Sequence, residues 1–296
     1  MERRNVISFI NMKGGVCKTT LCKEIALYIS ENDKKVLVID IDPQANCTQS
    51  FFERYKIFDP NEEELLESSN DMPSIEYIFS PKKKILEKPT LKDVILELTN
   101  NLHIVPGELH TIFMERETGT GASEQKLLNY IDDHSLRNKY DYIFIDCPPT
   151  YSFYTTAALL SSDLYLVPLI PDAYSLLGFN LLTEVINNIK GTYKSNFKIK
   201  PLDMLGIIFT RIPKNKTPIT MTRNINGICE AVDSTVPIFE NYFYNSNKIV
   251  TSKLSKFIYD RSDEDLLANL KLISEEFVKK VEKVNGNDKN CEGNVK

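Results

Sequence analysis

Short, uninterrupted apolar runs alternate along the chain with longer stretches in which apolar residues return at helical spacing. The runs are Val6 to Ile10, Val36 to Ile41, Leu102 to Pro106, Tyr142 to Ile145, Leu164 to Leu169 and Met204 to Phe209. Each has the length of a strand, and a strand that is apolar at successive positions is one covered on both faces. Between most pairs lies enough chain for a helix. Directly after the first run, Thr19 to Ser30 sets Leu21, Ile25, Ala26 and Ile29 on one helical face. Near the end, Asp263 to Val284 repeats the pattern with Leu266, Leu267, Leu270, Ile273, Phe277, Val278, Val281 and Val284. This alternation predicts an α/β fold: a mostly parallel twisted sheet with helices on both faces. A single domain over residues 1–284 holds all of it, and the polar stretch 285–296 reads as a disordered tail.

Composition leaves that picture intact and narrows the setting. With 296 residues, 42% of them hydrophobic and 26% charged, the chain can bury a full core. Its six cysteines are scattered without a CxxC pair, the charged start MERRN leads straight into a strand, and no apolar run is long enough to span a bilayer. A cytoplasmic protein with free thiols is expected, with no membrane partner. The three histidines lack metal-ligand spacing. The acidic stretch 61–71 and Lys82 to Lys84 read as a solvated connector.

The chemistry begins where the first strand ends. Asn11 to Thr20 reads NMKGGVCKTT, a glycine-bearing turn between a strand and a helix. Small residues there let backbone N–H groups close around phosphate oxygens, and the helix N-terminus adds partial positive charge. Lys18 would reach the β- and γ-phosphates, and the Thr19 hydroxyl would ligate the Mg²⁺ that neutralises them. Two more apolar strands end in carboxylates: Val36 to Ile41 carries Asp40 and Asp42, and Tyr142 to Ile145 leads into Asp146. Asp40 and Asp42 are two residues apart and share an orientation if the strand persists.

The loop is not the ordinary GxxxxGK[ST], because Met12 stands at the first glycine and Lys13 precedes the glycine pair. It resembles the deviant loop KGGxGK[ST] of the ParA/MinD family of dimeric ATPases, which have a P-loop NTPase fold. The resemblance implies ATP and Mg²⁺ as ligands, with Lys13, Gly14, Gly15, Val16, Cys17, Lys18, Thr19 and Thr20 around the nucleotide. It implies that Lys13 crosses to the partner's nucleotide in an ATP-dependent homodimer. It makes Asp42 of the DIDPQ segment the residue that positions or activates the attacking water, with Asp40 nearer structural, and makes Asp146 of DCPP, with Thr19, the holder of Mg²⁺. Lys13, Lys18 and Asp42 are then the catalytic set. One departure matters: Cys17 replaces a glycine. Either the loop shifts slightly and nucleotide binding weakens, or the site keeps binding and loses hydrolysis, or a thiolate at the helix N-terminus acts as a redox switch; a tolerated small residue with weakened turnover is the reading preferred among these.

The phosphate loop begins about ten residues into the chain, so the resemblance is to the short type of ParA protein, without a leading helix-turn-helix. That type implies binding to nonspecific double-stranded DNA, a ParB-like centromere-binding adaptor and a nucleoid-associated location. The net charge of −5 opposes this. From Arg211 to Arg261, however, eight basic residues face four acidic ones, a local balance of +4. Lys248, Lys253, Lys256 and Arg261 are the candidate DNA contacts, although the stretch Glu240 to Asn247 stands where the family carries arginines. The alternatives are a nucleotide-binding regulator with weak or no hydrolysis, and a MinD-like positioning ATPase. The last helix mixes Glu275, Glu276 and Glu282 with Lys279, Lys280 and Lys283 on its polar face, unlike a membrane-surface helix.

Overall fold

A computed structural model describes residues 3–57, 72–79, 89–108, 121–214, 217–245 and 256–292, with side chains described to residue 286. The connector at 61–71, Lys82 to Lys84, His110, Lys248, Lys253 and residues 293–296 lie outside them. Eight strands form one sheet in the order β3-β4-β2-β5-β1-β6-β7-β8. They are β1 (Val6–Phe9), β2 (Val36–Asp40), β3 (Leu96–Glu97), β4 (Leu102–Val105), β5 (Tyr142–Asp146), β6 (Leu164–Leu169), β7 (Asp203–Ile212) and β8 (Phe243–Tyr244). Every pair is parallel except β3 with β4, so the sheet is mostly parallel, as the pattern predicts. The sequence pattern misses β3 and β8 because each is only two residues long, too short to show a period.

Alternate residues of the central strands feed two separate cores. Leu37, Ile39, Ile143 and Ile145 pack with α3 (Lys126–Asp133), α4 (Phe153–Ser161), α5 (Ser175–Thr192) and α6 (Ile219–Ala231). Val36, Val38, Tyr142 and Phe144 face the other way, toward α1 (Lys18–Ser30), α2 (Asn46–Tyr55) and α7 (Glu264–Glu292). On that second face Phe277 of α7 lies against Phe9 and Phe144, with ring centroids 6.2 and 5.3 Å away. The apolar stripe of the last helix is thus core, as its spacing suggested. The helix does not stop at Val284: it continues to Glu292, and Asn285 accepts from the Arg4 N–H at 2.9 Å and donates to the Arg4 carbonyl at 3.2 Å.

Order in the sheet fixes where a ligand can sit. The chain leaves β1 toward β2 on one side and returns to β6 on the other, so the crevice beyond the carboxyl ends of β1, β2 and β5 is the topological switch point. The glycine loop, Asp40 and Asp146 all stand at those ends.

Candidate functional site

The loop between β1 and α1 is held by its own side chains. Asn11 donates through Nδ2 to the Pro168 carbonyl at 2.7 Å and accepts the Lys13 N–H on Oδ1 at 2.9 Å, which sets the first turn. Two left-handed residues follow, Gly15 at φ 72 and Cys17 at φ 70. The second explains why glycine suits position 17: a side chain in this conformation costs about 1 kcal/mol. Cys17 adopts it all the same and serves as the N-cap of α1, its carbonyl accepting from Leu21 at 2.9 Å. Burial raises the Cys17 thiol above its ordinary pKa, opposed by the Arg211 guanidinium and the Thr210 hydroxyl. Burial thus opposes the thiolate that a redox switch would use, while Arg211 favours it.

Gly14, Gly15, Cys17, Lys18, Thr19, Thr20 and Asp42 line a cleft of about 400 Å³. Val16 is buried beneath the loop. Lys18 is buried at 6% exposure, and its Nζ donates to the Lys13 carbonyl at 3.3 Å. Burial lowers its pKa, while Asp146 and Asp42 act to raise it. Lys13 points elsewhere: its ammonium is paired with Asp172, just ahead of α5 on the same chain.

The three carboxylates divide by environment. β2 ends at Asp40, so Asp40 and Asp42 do not share the orientation that a longer strand would have given them. Asp40 is fully buried and accepts on Oδ2 from the Thr48 N–H at 2.8 Å and the Thr48 hydroxyl at 2.7 Å. The Gly107 N–H donates to that same hydroxyl at 2.8 Å, and a Cβ on Gly107 would stand 2.8 Å from the Asp40 carbonyl oxygen. Burial pushes Asp40 up to about 7 against the Thr48 bonds. Its partners are all used within the fold. Asp42, by contrast, is 7% exposed at the cleft, its Oδ1 accepting from the Gln44 N–H at 3.0 Å.

Asp146 pairs in register with Asp40 across the sheet and is fully buried. Neither of its carboxylate oxygens finds a hydrogen-bond partner among the described residues. Burial and the neighbouring Asp40 raise its pKa well above the usual range, with the Thr19 hydroxyl and Lys18 opposing. A buried carboxylate lacking donors, next to a threonine hydroxyl and a second carboxylate, is a donor set suited to a hard divalent cation such as Mg²⁺.

The cleft is lined as well by residues that sequence reasoning did not place there: Gln44, Asn46, Pro149, Arg211, Phe243, Tyr244 and Asn245. Phe243 to Asn245 belong to the stretch that stands in place of the family's arginines. That stretch is pinned to α7, where the Glu276 carboxylate accepts from the Glu240 and Asn241 N–H groups at 2.8 and 3.0 Å. Asn269 likewise accepts the Tyr244 N–H at 3.1 Å. Of the four candidate DNA contacts, Lys256 is exposed and Arg261 half-buried, its Nη2 donating to the Lys256 carbonyl at 2.7 Å. Among the described residues no helix is long and apolar enough to cross a membrane.

The family model described as an AAA domain matches residues 4–199. An uncharacterized protein of Methanocaldococcus jannaschii is 32% identical over 210 residues, which cover 71% of this chain and 74% of that protein. The chromosome partitioning protein ParA of Myxococcus xanthus is 29% identical over 69% of this chain and 64% of its own length. Among solved structures, a plasmid partition protein from Borrelia burgdorferi bound to AMPPNP has the same fold, with a TM-score of 0.67 and 23% identity. That likeness covers 94% of this chain and 100% of the other.

Proposed function

Because the chain belongs to the ParA/MinD family of P-loop ATPases, we propose that it is a partition ATPase that dimerises on ATP, binds nonspecific double-stranded DNA and releases it on hydrolysis. One observation carries the nucleotide reading: Asp146, fully buried and with neither carboxylate oxygen within hydrogen-bond geometry of a donor among the described residues, stands beside Thr19 and Lys18 of the glycine loop. Lys18 would meet the β- and γ-phosphates. Thr19 and Asp146 would hold Mg²⁺, which supplies charge neutralisation at the phosphates. Asp42 is at the cleft and would orient the attacking water. Lys13 would serve the partner's nucleotide once Asp172 lets it go. The partition role is supported by what the similar proteins are called: a chromosome partitioning protein and a plasmid partition protein, the latter with an ATP analogue bound. On this reading a ParB-like adaptor stimulates hydrolysis, and the protein is cytoplasmic and nucleoid-associated.

A second reading, a nucleotide-binding regulator with little turnover, is favoured by the left-handed Cys17 in the phosphate loop. Steady-state hydrolysis with Mg²⁺, measured with and without duplex DNA beside calorimetric ATP binding, separates the two. Slow turnover is expected. Tight binding with no turnover under any condition puts the regulator first, and no binding overturns both.

A further inference from the structure

The backbone aims Arg211, one of the charges of the basic region, at the phosphate loop. Where β7 runs beside β8, Thr210 pairs with Phe243 and Ile212 with Tyr244, so Arg211 is the extra residue of a β-bulge. Its φ is 58, a left-handed conformation uncommon for a residue with a side chain. A bulge of this kind re-aims a side chain out of its strand's alternation, and bulges gather beside functional sites. Here the guanidinium comes to rest over the loop, with Nη2 3.6 Å from the place a Cβ on Gly15 would occupy. It also faces the Cys17 thiol. The bulge and the loop are tied together, since the Thr210 hydroxyl donates to the Val16 carbonyl at 3.2 Å. Among the described residues no carboxylate pairs with Arg211.

A guanidinium with no carboxylate partner among the described residues, held by a left-handed backbone beside a glycine loop at a helix start, is placed to take an anion. We propose that Arg211 is a nucleotide-binding residue that donates to the phosphate chain of the nucleotide bound to its own subunit, in the cleft that Lys18 also lines. This rests on the nucleotide reading of the cleft given above. The phosphates rather than the base are its target because it stands at Gly15 and Cys17, residues of the phosphate loop itself.

The test is competition by ATP, ADP and AMP against N-methylanthraniloyl-ADP, with Mg²⁺, on the full chain. Arg211→Gln is expected to weaken ATP and ADP about tenfold or more, the loss of a charge-assisted hydrogen bond. AMP should weaken much less, and Arg211→Lys should recover part of the affinity. Arg211 is exposed, so the variants are expected to melt with the unaltered protein. Unchanged affinities, or an equal loss for all three nucleotides, would overturn the assignment while leaving the nucleotide reading in place. Failure of the unaltered protein to bind any of them would overturn both.

Discussion

Lys18 and Asp42 both reach the cleft, but they make opposite predictions. Lys18 is the buried cation nearest Asp146, so Lys18→Ala should remove calorimetrically detectable ATP binding; retained affinity would remove the phosphate loop from the argument. Asp42 touches no phosphate on this reading. Asp42→Ala should therefore bind ATP as before, cease to hydrolyse it, and accumulate as a dimer in sizing experiments with ATP. Cys17→Gly relieves a left-handed side chain and should raise steady-state turnover, while stability changes by no more than about 1 kcal/mol in urea unfolding because glycine also loosens the unfolded chain. Equal turnover in the two proteins would show that the loop tolerates the thiol at no cost to catalysis. That Lys18, Asp42 and Asp146 come to the ends of neighbouring strands was legible in the sequence, because Asp42 and Asp146 close apolar runs and Lys18 closes a glycine-bearing turn at a helix start, positions that local pattern reveals. Arg211 was not, since its direction depends on a one-residue slip between β7 and β8, strands whose partners are set by the whole sheet.

The segment Lys256 to Arg261 shows the same limit for an element. In the sequence it is a basic stretch; in the fold it is a strap whose Phe257 is fully buried against α1 and α2. The Phe257 ring lies 5.1 Å from that of Phe51, with the Lys23 ammonium 4.3 Å from its centroid. Arg54 of α2 pairs with Asp260, and the Glu24 carboxylate accepts the Ile258 N–H on both oxygens at 3.0 and 2.9 Å. Phe257→Ala should cost about 3 kcal/mol or more, measured as a shift of the urea midpoint. Burial pushes Glu24 up to about 7, with Lys23, the Ile258 N–H and Arg261 opposing and Asp260 assisting. An acid raised by folding favours the folded state while it is protonated, so its contribution is full below the ordinary value of 4.5 and declines as pH rises toward about 7. Glu24→Gln should flatten the fall in stability between those limits. A variant with the same pH dependence as the parent would place the titration elsewhere.

At the scale of the whole molecule, a net charge of −5 must coexist with binding to a polyanion if the partition reading holds. The fold reduces the local excess further: Lys214 is paired with Asp265, and Arg211 is turned into the cleft. What remains for DNA is concentrated toward the strap, near helices that carry the phosphate loop and Asp42 at their starts. Retention of duplex DNA should consequently require ATP, because one subunit presents too few cations and a dimer doubles them. It should also fall steeply with salt, each phosphate contact contributing about 0.9 to the logarithmic slope. Neutralising Lys253 and Lys256 together removes two candidate contacts per subunit. Binding should then weaken alike on unrelated sequences, and the slope should flatten by about 2 per subunit. If filter binding at low salt shows no ATP-dependent retention of any duplex by the unaltered protein, the acidic surface has prevailed, and the cleft belongs to a nucleotide-binding regulator rather than to a partition ATPase.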